Sequence, residues 1–175
     1  FDWGTSGAPG GTPKAQNSYY ASAVTVGSPP PPPPASGNPP PAQSTSTLPQ
    51  STPAPAPRVL ISEILYKAVG GDAGKEFVEL YNDGDADIDL KSWALRANSN
   101  PLGTIGSKSQ DKTMIRAHGY FLVGLNNYSG TPPADVVRVV SMLNTSSTIA
   151  LFDASGATAD SVSYNASVQE GESYE

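Results

Sequence analysis

The stretch Val59–Asn82, VLISEILYKAVGGDAGKEFVELYN, decides how the chain is read. Two short apolar runs flank a loop holding Gly70, Gly71, Asp72 and Gly74. That is the pattern of two strands and a connecting loop. In the second run Phe77, Glu79 and Tyr81 fall on one face of the alternation and Val78 and Leu80 on the other. Outward from here the same rhythm continues. Strands are expected at Val59–Tyr66, Glu76–Asn82, Ile88–Leu90, Trp93–Arg96, Thr113–Ile115, Tyr120–Val123, Val136–Met142, Thr148–Phe152 and Ser161–Tyr164. Asn82-Asp83-Gly84-Asp85, His118-Gly119 and Asp153-Ala154-Ser155-Gly156 supply turns. No 3.6-residue periodicity appears. Strands recurring every 8–12 residues argue for an all-β antiparallel sandwich.

Upstream, the composition changes abruptly. Residues 29–57 hold thirteen prolines, six of them consecutive (Pro29–Pro34), and from Ala15 to Pro57 there is no charged residue or histidine. Such a segment cannot bury enough apolar surface to offset its ordering entropy. It is expected to be a disordered polyproline-rich linker over residues 18–57. A tethered module points to presentation or spacing before chemistry.

Charge and composition exclude several classes. The formal net charge is −6, and because Asp2 and Lys14 cancel, all of it sits on residues 58–175. No basic cluster exists for phosphate contacts, so nucleic acid is not expected as a partner. The absence of cysteine removes disulfides, thiol nucleophiles and Cys-ligated zinc. No apolar run reaches the ~18–20 residues of a membrane span. The chain begins at Phe1 and reads as a fragment of something longer.

Taken together, Ser62-Glu63, Glu76, Glu79-Leu80, Asn82, Ile88-Asp89-Leu90 and Trp93 resemble the opening of a lamin-tail domain. Gly119–Val123 is similar to that family's Gly-Tyr strand, and Ile149–Asp153 with Gly156 and Asp160-Ser161-Val162 to its late hairpin. The resemblance implies an immunoglobulin-like sandwich over residues 58–175, ending before its last strand. It implies structural roles for Ser62, Glu63, Glu76, Glu79, Asn82, Leu90 and Trp93. Residues 1–17, with Trp3, Pro9 and Thr12-Pro13-Lys14-Ala15-Gln16-Asn17, look like the closing segment of a preceding repeat, Lys14 standing where the family has Gly. That segment is expected to reach back onto the sandwich. Without coiled-coil heptads the chain resembles the bacterial, tandem kind found on secreted or envelope proteins.

Four groups of residues are candidates for chemistry. Glu63, Glu76 and Glu79 would have to converge to act as an acid/base pair, yet Glu76 and Glu79 alternate to opposite faces of one strand. Asp83, Asp85, Asp87 and Asp89 hint at calcium, but Gly84 is misplaced for an EF-hand and Ala94 occupies its twelfth position. They remain a loose surface-site candidate. His118 is the only histidine, and no G-x-S-x-G accompanies it. Trp93, Tyr66, Phe77, Tyr81, Tyr120 and Phe121 would make a sugar-stacking platform if exposed, and core if not. Asn127, Asn144 and Asn165 open N-x-S/T triplets. The expectation is a non-catalytic interaction, display or spacer module without a cofactor, outside the cell. Its partner would be another domain of the same protein, a surface protein or a polysaccharide. The rivals are a carbohydrate-binding module and a metal-dependent catalytic domain.

Overall fold

The computed structural model describes residues 13–14 and 58–175. Among these residues the fold is all-β, an immunoglobulin-like sandwich of two four-stranded sheets. Ten strands follow in order: β1 Val59–Leu65, β2 Phe77–Asn82, β3 Ile88–Asp89, β4 Ala94–Ala97, β5 Asn100–Thr104, β6 Met114–Ile115, β7 Tyr120–Gly124, β8 Val136–Val137, β9 Ser147–Phe152 and β10 Thr158–Tyr164. The first sheet runs β1-β2-β7-β8, the second β10-β9-β4-β5, and β3 pairs with β6.

Alternation explains the core. In β9, Ser147, Ile149 and Leu151 are buried while Thr148, Ala150 and Phe152 are only partly so. A period of two puts one face inward. Ile61, Ile64, Val78, Leu80, Phe121 and Val123 of the first sheet meet Leu95, Ala97, Ile149, Leu151, Val162 and Tyr164 of the second in one core. Tyr66 and Tyr164 stack inside it at 3.9 Å. The Asp153–Gly156 turn joins β9 to β10, its Asp153 Oδ1 accepting from the Ser155 and Ala157 amides at 2.8 and 3.0 Å.

β2 departs from simple alternation because both of its faces are covered. Five of its six residues are buried. On the outer face Leu65, Phe77, Leu122 and Tyr128 form a second, smaller core, with Phe77 and Tyr128 edge to face at 6.2 Å. Tyr128 lies on Gly124, where a Cβ would come within 2.4 Å of the Tyr128 Cβ. Only glycine at the end of β7 leaves that room.

Several expectations are corrected. The run Val136–Met142 is a strand only over Val136–Val137, and that strand lies parallel to β7 rather than antiparallel. Beyond it the in-out alternation of burial continues, with Arg138 and Met142 buried and Val137, Val139 and Ser141 exposed, but no ladder of strand pairing accompanies it. β5 was not legible, since Asn100-Pro101 and Gly103 disguise it; an edge position tolerates that proline. Trp93 is partly buried and packs against the core that holds Leu80 and Leu90. It precedes β4, after Ser92 with φ of 68°, and its N–H donates to the Leu90 carbonyl at 3.0 Å. The closing-segment expectation for residues 1–17 falls, Pro13 and Lys14 apart, outside the described residues, as does the linker. Within the domain, Tyr174 bridges Ile64 on the edge of β1, with both amide hydrogen bonds at 2.8 Å.

Two outcomes follow. Gly124→Ala should cost about 1–3 kcal/mol through overpacking, read as a denaturant midpoint shift. Trp93→Ala should cost about 2 kcal/mol, below the ~3–5 of a fully buried tryptophan; a loss in that upper range would contradict its partial burial.

Candidate functional site

A carboxylate on β2 has to be satisfied internally, because that strand is buried on both sides. Glu79 and Glu76 show how. The register shift between Ile61 and Glu63 sets Glu63 opposite Glu79 on the outer face. Glu79 Oε1 accepts the Ser62 hydroxyl at 2.8 Å, and Oε2 accepts the backbone N–H of Lys14. Burial pushes the Glu79 carboxyl up to about 8; the Lys14 and Ser62 hydrogen bonds pull it back, and Glu63 and Glu175 add to the rise. Glu76 works elsewhere. Its carboxylate accepts the Ser141 hydroxyl at 2.9 Å and the Met142 N–H at 3.2 Å, pinning the segment beyond β8. Burial raises it to about 7 against those two bonds.

Lys14 spans two acceptors. Its Nζ lies 2.7 Å from Asp135 Oδ2, while Lys112 Nζ lies 2.9 Å from Oδ1. Burial alone would raise the Asp135 carboxyl, but the Leu122 N–H and the two lysines hold it below its ordinary value. Tyr81 and Tyr120 pack nearby on the same face at 5.0 Å, and burial lifts the Tyr120 hydroxyl to about 12, with Glu79 adding to the rise.

The remaining motif residues anchor the backbone. Asn82 is fully buried; its Nδ2 donates to the Ala86 and Arg116 carbonyls at 2.8 and 3.0 Å, and its Oδ1 accepts from Gly84 at 3.0 Å. That side chain folds the acidic turn onto the loop before β7. Leu90 is core. The four turn aspartates diverge. Asp83 pairs with Arg58, Asp85 with His118 Nε2, Asp87 takes the Ala117 amide and Asp89 the Lys91 amide, at 2.9, 2.9, 2.9 and 3.0 Å. Among the described residues no three His, Asp or Glu side chains group as metal ligands. Of the six aromatics, Tyr66, Phe77 and Phe121 are buried, while Trp93, Tyr81 and Tyr120 are only partly covered. Asn127, Asn144 and Asn165 are exposed.

Two elements escaped the sequence reading. Asp135 carried no motif. Arg138 is buried and binds Asp111 at 2.6 and 3.1 Å, the Thr104 carbonyl at 2.5 Å and the Ser107 hydroxyl at 3.1 Å. It crosses Gly103, whose φ is 150°; a Cβ there would come within 2.7 Å of the guanidinium arm. An arginine inside an apolar run beside Val136 and Val137 was the one available signal. A groove of about 470 Å³ on the outer face is lined by Pro13, Leu65, Ala68, Val69, Phe77 and Tyr128 among others, and Glu63, Glu76 and Glu79 are not among its lining residues.

No helix of the described residues is long and apolar enough to cross a membrane. Residues 52–166 match the lamin tail domain family. No curated protein sequence matches the chain.

Asn82→Ala should cost about 1–3 kcal/mol, because a buried side chain loses its three hydrogen bonds to the Ala86 and Arg116 carbonyls and the Gly84 amide. For the carboxylates, the folded values of about 7 and 8 lie above the ordinary 4.5, so the folded state holds protons that the unfolded chain has lost. Stability from Glu76 and Glu79 is therefore fully present below about pH 4.5 and falls as pH rises toward 7–8, by up to about 1.4 kcal/mol per pH unit for each group. Glu79→Gln should flatten that fall; an unchanged slope of midpoint against pH would contradict the assignment.

Proposed function

The chain belongs to the lamin tail domain family, and from that premise we propose that it is a non-catalytic interaction and spacer module of a secreted or envelope protein, presented on its proline-rich segment. The observation that carries this reading is the fate of the polar side chains. Glu76, Glu79, Asn82 and Asp135 each hold a backbone amide or carbonyl in place, so their chemistry is spent on the fold. Glu76 and Glu79 point to separate partners, Ser141 and Met142 for one, Ser62 and Lys14 for the other.

Three of the five large apolar side chains exposed among the described residues lie on one segment. Val137, Val139 and Leu143 are 37, 69 and 51% exposed, on alternate positions of the segment that begins with β8. The acidic charge on the rest of the domain repels nucleic acid. This edge fits a protein surface better than a glycan, since three of the six candidate stacking rings are in the core. The partly covered Tyr81–Tyr120 pair is the feature that favours a sugar.

A Val139→Glu/Leu143→Glu variant tests the choice. It should keep its denaturant midpoint within about 0.5 kcal/mol and lose at least ten-fold of the wild-type yield when cross-linked to cell-surface proteins of its source. Polysaccharide binding that survives in this variant and disappears in Tyr81→Ala would replace the proposal with a carbohydrate module. Millimolar Ca²⁺ should leave the melting temperature unchanged; a rise beyond the few degrees that ~1 kcal/mol gives a domain of this size would make the Asp83–Asp89 turn a ligand set.

A further inference from the structure

We propose that the outer face of the first sheet is a receptor for the Pro13–Lys14 segment of the same chain, which closes over it as an intramolecular clasp keyed by Lys14. The inference stands on the contacts of that segment and not on the proposed function. One residue is held at both ends. The Lys14 backbone N–H donates to Glu79 on β2, and its Nζ reaches Asp135, 2.7 Å away, in the loop before β8. Pro13 lines the same groove as Leu65, Ala68, Phe77 and Tyr128, adding an apolar contact beside the polar ones. Lys14 adopts a φ of 58°, which a residue with a side chain takes up only where its surroundings hold it.

The charges select this residue. Glu63 and Glu79 face each other on the sheet, Glu175 acts on Glu79, and Asp135 stands beside them with Lys112. Lys14 is the sole basic residue in the first 57. Only one position of those 57 residues can therefore pair with Asp135 through an ammonium group, which fixes the register of docking. The hydrogen bond to Glu79 is made by a backbone amide. A chain segment, rather than a free cation, supplies it together with the ammonium group.

Covalent connection favours the chain's own segment over that of a neighbour. Residues 15–57 separate Lys14 from Arg58, and a chain of that length can extend to at most roughly 140 Å. A domain of this size has a radius of gyration of roughly 13 Å. The tether is therefore long enough to reach any face of the sandwich.

The test uses the full chain, which has no cysteine of its own. Pro13→Cys is combined with Val69→Cys, a position 57% exposed on the same groove, and treated with a short bis-maleimide. The control combines Pro13→Cys with Ser155→Cys, in the turn between β9 and β10 of the opposite sheet. The expected product is a cross-link within one chain for the Val69 pair, in at least five-fold higher yield than for the Ser155 pair. Equal yields, or covalent dimers in place of the internal product, overturn the clasp. A double-mutant cycle supplies a second reading. Lys14→Ala should lower the denaturant midpoint, and in an Asp135→Asn background that shift should fall by at least half. Strictly additive shifts overturn the proposal.

Discussion

β2 sits between β1 and β7 with both faces covered, and it carries a glutamate on its outer side and another at its start. Transfer of an ionised carboxylate to such a place is costly unless hydrogen bonds accompany it. The architecture around the first sheet answers that cost locally. The register shift in β1 places Ser62 to donate to Glu79, and the segment beyond β8 delivers the Ser141 hydroxyl and Met142 amide to Glu76. Even so, both carboxyls stay well above their ordinary range. Burial outweighs the hydrogen bonds, so the pair trades stability at neutral pH for a fixed position of the chain around it.

The same logic explains the irregular loops. A sandwich needs only alternating strands, but its connections must keep their backbone groups paired. Asn82 does this between the acidic turn and the approach to β7, and Arg138 does it between β5 and the loop around Asp111. Each is a buried side chain with several fixed partners, so each couples segments far apart in sequence. Removing one end would leave the other buried without its partner, which costs more than the contact itself contributes. Polar residues that look like chemistry in the sequence thus serve as rivets.

That distinction also separates the module's inside from its surface. The acidic turn from Asp83 to Asp89 remains solvated, each aspartate occupied with a different neighbour. The stripe Val137, Val139 and Leu143 is the contrasting surface, apolar at an edge where sheets are prone to meet other chains.

The sequence by itself determined the strands with clean alternation, the Asn82–Asp85 and Asp153–Gly156 turns, and the ordered motif that carries the family likeness. These are local patterns of period two and of turn-forming residues, which need no knowledge of what lies opposite. Tertiary structure decided the rest. β5 was hidden because an edge strand accepts Pro101 and Gly103. Trp93 packs against the core just after Ser92 turns the chain before β4. The run Val136–Met142 kept its alternation of burial but is a strand only over Val136–Val137, and its Arg138 found Asp111 as a partner. Asp135, as a partner for Lys14, lies 121 positions along the chain from it, and nothing in either local pattern points to the other. Burial and pairing over such separations are properties of the packed sheets, and the order of residues records them only after the sheets are assembled.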